Sequence, residues 1–131
     1  MTNPRSPAEL LGAYPDHIRE LAEAARRLVL RALPDAHESA DATAPLLAYA
    51  YAPGNRGMVA TNILSRTGVK LGVFEGVKLP DPRALLQGSG KLHRYVQLKT
   101  VADLKQPGIG ALLKGAGRLC RTRLDAPKAG A

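Results

Sequence analysis

The run GSGKLHRYVQL, residues 88–98, gathers the residue types that can hold an anion. Glycines at 88 and 90 let backbone amides turn into one concavity around Ser89, and Lys91 and Arg94 place positive charge beside it. The same residues also suit a tight entry into the strand RYVQL. The spacing favours that turn. Gly88-Ser89-Gly90-Lys91 lacks the full glycine spacing of a P-loop and the hydroxyl residue that would follow its lysine, and no helix stands behind it to contribute its N-terminal dipole. Catalytic patterns are absent as well: there is no GxSxG elbow, no HExxH and no CxxC. His17, His37 and His93 lie in separate segments, each expected at the surface or half-buried. Cys120 is the only cysteine, which excludes an internal disulfide and a cysteine cluster for zinc, and it is expected as an inert core thiol. Nothing in these residues requires an enzyme, and a non-enzymatic binding or carrier role is expected.

Charge supplies a second candidate. The chain of 131 residues carries a formal net charge of +8, and the excess is uneven. Residues 1–90 hold ten Lys/Arg against nine Asp/Glu, whereas residues 91–131 hold nine against two. Lys91, Arg94, Lys99, Lys105, Lys114, Arg118, Arg121, Arg123 and Lys128 could therefore form a footprint for nucleic acid or another polyanion. Tyr95 is the one aromatic residue among them, so such binding would rest on phosphates and be non-specific. No apolar run approaches the roughly 18 residues of a spanning helix, and the opening residues lack a signal-peptide apolar region. With the lone cysteine, these features predict a cytoplasmic protein with no membrane partner.

The elements that must position these residues are legible from periodicity. Ile18, Leu21, Ala22, Ala25, Leu28, Val29 and Ala32 repeat at i, i+3, i+4, i+7, predicting a one-sided helix over 16–33 that ends at Pro34. Arg26, Arg27 and Arg31 complement the negative end of its dipole. Short strand-like runs follow at 45–52, 58–64, 69–74 and 94–98, separated by Gly- and Pro-containing turns that suit antiparallel hairpins. Residues between the last two runs read as a connector, Thr100 to Asp103 as the cap of a helical turn, and Ile109 to Cys120 as a second helix weakened by glycines. Ser6 and Pro7 could open a short helical turn near the start. The order predicts an α+β fold: an N-terminal helix, an antiparallel sheet of four to five strands and a C-terminal helix, with the helices on one face of the sheet. One domain over 12–121 is expected, with a loosely attached arm at 1–11 and a disordered basic tail at 122–131.

The run GSGKLHRYVQLKTVADL resembles the C-terminal signature of the YdhG-like family of small bacterial domains of unknown function. YPDHIRELAEAARRLVLRALPDAHE resembles that family's first helix and the acidic stretch after it, Pro45 matches the proline opening its first strand, and LGVFEGVKL matches the strand and loop before its connector. The resemblance spans residues 12–118. Some members are frataxin-like in fold and are considered intracellular iron chaperones, which implies ferrous iron as cargo and iron–sulfur assembly proteins as partners. It also directs attention to Asp16, Glu20 and Glu23, at i, i+4, i+7 on one side of the first helix, as hard oxygen ligands for a weakly held ion. His17 stands nearby. Carboxylates there also suit the helix dipole without any ligand, and Glu23 can pair with Arg27.

Overall fold

A computed structural model describes residues 6–41 and 43–126. Its elements run α1 (Pro7–Gly12), α2 (Asp16–Ala32), β1 (His37–Ala40), β2 (Leu46–Ala50), β3 (Met58–Ser65), β4 (Gly68–Val73), β5 (Arg94–Leu98) and α3 (Ile109–Asp125). Three 3-10 turns, Asn55–Gly57, Gly76–Lys78 and Val101–Lys105, join them. The five strands form one antiparallel meander in the order β1-β2-β3-β4-β5. The expected α+β architecture is what the chain adopts.

Alternation along the strands explains the layering. Leu47, Tyr49, Ala60, Leu64, Val69, Leu71, Val96 and Leu98 are buried towards α2 and α3, both of which pack on β3 and β4. Asn62 is buried on that same side, whereas the alternate residues Leu46, Ala48, Thr61, Ile63, Lys70, Gly72, Tyr95 and Gln97 face away from the helices, half-buried or exposed. On α2 the buried stripe is Ile18, Leu21, Ala22, Ala25 and Val29, while Leu28 is only half-buried at its margin. On α3 the glycines permit close approach. A β-carbon on Gly117 would come within 2.9 Å of the Tyr51 hydroxyl and 3.0 Å of Leu33, so the helix lies tighter on the core than any larger residue allows.

Both predicted flanks need correction. In place of a loose arm over 1–11, Pro7–Gly12 forms α1, capped by Ser6, whose hydroxyl accepts the Glu9 amide at 3.1 Å. Its Leu10 and Leu11 are 0% and 1% exposed, because two adjacent leucines at the helix end both find the core. In place of a disordered tail from 122, α3 continues to Asp125, held by Arg123. Residues 1–5 and 127–131 lie outside the described residues. β1 also went unpredicted: HESA is short and polar, and only Ala40 is buried.

Candidate polyanion-binding surface

The GSG loop closes on itself. Gln87 and Tyr95 exchange backbone hydrogen bonds of 2.8 and 3.1 Å, so residues 88–94 form a bulged loop at the entry to β5. Gly88 takes φ +115°, and a β-carbon there would lie 3.3 Å from the Tyr95 ring. The guanidinium of Arg94 donates to the carbonyl of Gly90 and, at 3.0 Å, to that of His93. Arg94 thus serves the loop's own oxygens, while Ser89, Gly90 and Lys91 stand exposed. This geometry is the tight strand entry that the spacing favours.

The acidic residues of α2 diverge in their partners. Asp16 pairs with Arg19, Glu20 is exposed, and Glu23 is held by Arg26 at 3.1 Å with Arg27 at 4.0 Å. Arg26 turns inward to grip Glu38 with two hydrogen bonds of 2.7 and 2.9 Å. Glu38 also accepts from the Tyr49 hydroxyl at 2.9 Å, and the Asn62 amide donates to Tyr49 at 3.1 Å. Burial alone would raise the Glu38 pKa; the hydrogen bonds from Arg26 and Tyr49 and the charge of Arg26 outweigh it and hold the carboxyl below its ordinary value. Among the described residues, no group of three or more His, Cys, Asp or Glu is arranged to hold a metal ion.

The basic residues of the last third separate into three roles. Arg123 is structural: it donates to the carbonyls of Arg56 at 2.9 Å and Met58 at 2.6 Å and pairs with Glu75. Hydrogen bonding from Lys78 is the largest cause holding the Glu75 carboxyl below its usual range; burial opposes it, and Arg123 adds to it. Cys120, beneath this knot, is buried with its thiol 3.5 Å from the Arg56 carbonyl, and burial pushes its pKa up. Lys91 and Lys99 are exposed beside the ends of β5. Lys114, Arg118 and Arg121 are exposed on α3 at i, i+4, i+7, which places them along its solvent side. Arg121 reaches the exposed Asp35 at 3.3 Å and lies 4.2 Å over the Tyr51 ring, which orients its charge; so exposed a pair holds it weakly.

Helix α2 contributes exposed cations of its own. Arg27 and Arg31, one turn apart and exposed on α2, line a shallow depression together with Lys105, over Leu28 and Leu104. Arg83 and Arg118 line a second one beside the first turn of α3, whose N-cap Gly108 provides no side-chain cap. The charge balance by segment does not reveal the exposed cations of α2, because Arg27 and Arg31 are offset in number by acids at the other end of the same helix. Their i, i+4 spacing was the available signal. Lys128 lies outside the described residues. No family model, curated protein or solved structure matches the chain.

Proposed function

We propose that this chain is a non-enzymatic domain that binds polyanions, nucleic acid among them, through its helical layer. The observation that carries the reading is the set of exposed cations on that layer: Arg27, Arg31, Lys105, Lys114, Arg118 and Arg121. Side chains one helical turn apart on a rigid element meet successive phosphates without having to order a flexible segment first. Neither α2 nor α3 contains Phe, Tyr or Trp, so the layer holds phosphate and has nothing to stack on bases. Binding is therefore non-specific and electrostatic. Ferrous-iron carriage to iron–sulfur assembly proteins draws less support, since Glu23 would have to leave Arg26 before joining Asp16 and Glu20 around an ion.

Fluorescence anisotropy with a random duplex across a salt series tests the reading. Affinity should fall with salt at a slope of about −0.9 per phosphate contacted, and Lys114→Glu with Arg118→Glu should remove about two contacts from that slope. Arg94→Gln, at the loop, should leave it unchanged. Absence of binding at low salt, or a full slope in the double variant, would refute the assignment.

A further inference from the structure

The sheet face turned away from α2 and α3 carries a trough of about 510 Å³. Strand register explains its shape. Ala48, Thr61, Gly72 and Tyr95 stand in one row across β2, β3, β4 and β5. The first three are small, and Gly72 is smallest of necessity: a β-carbon there would lie 2.4 Å from the Thr61 hydroxyl. Leu46 and Ile63 form the neighbouring row on one side, and Met58 and Phe74 rise on the other. Rows two residues apart along a strand are separated by about 6.6 Å, so the small row between two larger ones is a slot about one ring wide. Ile63 is 37% exposed at its wall.

Charge is distributed unequally along this slot. Its Tyr95 end holds Arg94 and His93 in the lining and Lys70 beside it, with the Lys70 ammonium 4.8 Å from the Tyr95 ring centre. The His93 ring packs against Phe74, tilted by 35° with ring centres 4.2 Å apart, and its Nδ1 accepts the Glu75 amide at 3.1 Å, which leaves Nε2 as the donor edge. Asp41 lies at the opposite end, beside the apolar Leu46 and Ala48. We propose that the trough binds a small aryl carboxylate, its ring lying over Ala48 and Gly72 and its carboxylate directed to Lys70 and the His93–Arg94 edge. The size fits, since sites for small organic ligands span roughly 300 to 1,000 Å³ and combine an apolar floor with a few polar groups at one end. The site is independent of the helical layer.

Heteronuclear NMR titration with naphthoate, and with neutral naphthylmethanol as its uncharged counterpart, tests this. Naphthoate should shift the amides of Ala48, Thr61 and Gly72 saturably, and the alcohol should bind about tenfold more weakly for want of the charged hydrogen bonds. Ala48→Phe, which fills the slot from its floor, should abolish binding at an unchanged melting temperature. Ile63→Ser at the exposed wall should weaken it even if the larger substitution unfolds the protein. Lys70→Gln should weaken the acid and leave the alcohol as it was. Shifts confined to other surfaces, equal affinity for acid and alcohol, or wild-type binding by both wall and floor variants would overturn the proposal. So would a dimer in sedimentation that Ala48→Phe dissociates, because the trough would then be a self-association surface.

Discussion

Glu38 stands on an edge strand of four residues, three of them polar, yet its side chain is 11% exposed and held by Arg26 and Tyr49. Its carboxyl has a lower pKa folded than unfolded, so the unfolded chain takes up the proton first as pH falls. The stabilisation is fully present above the ordinary glutamate value of 4.5 and is lost as pH falls through the folded value below it. Glu75 and Asp103 are depressed likewise and add to the same acid limb. Thermal melts between pH 6 and pH 3 should show the midpoint falling across the acid end, and Glu38→Gln should give a shallower fall from a lower start. At neutral pH that variant should lose about 1 to 3 kcal/mol, the usual cost of weakening a buried charge-assisted hydrogen bond. A slope identical to wild type would remove Glu38 from the acid response.

On the scale of elements, α2 separates two leucines that periodicity treats alike. Leu21 is 1% exposed under the sheet, whereas Leu28 lies half-buried beside Arg27, Arg31 and Lys105. Leu21→Ala should cost about 2 to 5 kcal/mol and Leu28→Ala appreciably less. Urea midpoints compare them directly, and equal losses would mean that the helix is rotated from the placement described. The stripe and four of the strands were legible because apolar spacing at 3.6 or 2 residues reports which face is covered. β1 was not, since it is held by pairing with β2 and its Glu38 is covered by Arg26 reaching across from α2, neither of which leaves a pattern within HESA. The trough escaped for a related reason. Ala48, Thr61 and Gly72 are scattered along the chain and become one row only through strand register, while the Gly-Ser-Gly turn, compact in sequence, drew attention to a loop that satisfies itself. The far end of α3 was concealed because Arg121, Thr122 and Arg123 interrupt the apolar spacing after Cys120, and Arg123 is held there by the Arg56 and Met58 carbonyls, 67 and 65 residues away in sequence.

At the scale of the whole molecule, the two faces differ in character: helices carry exposed cations, and the opposite sheet face carries the apolar slot. Arg123 ties the layers at one corner, linking the last turns of α3 to carbonyls before and at the start of β3 and to Glu75 after β4. Arg123→Leu should lower stability by about 1 to 3 kcal/mol, because Glu75 loses a half-buried partner and two carbonyls lose their donor. Lys78 still pairs with Glu75, so a loss at the lower end is expected. A melting temperature unchanged from wild type would show that the knot contributes nothing. The bonds that Arg123 makes to Arg56 and Met58 cross 67 and 65 residues. Translation therefore adds the residue that fastens this corner only after all five described strands have been synthesised, and Glu75 is without its Arg123 partner until α3 has been made and docked.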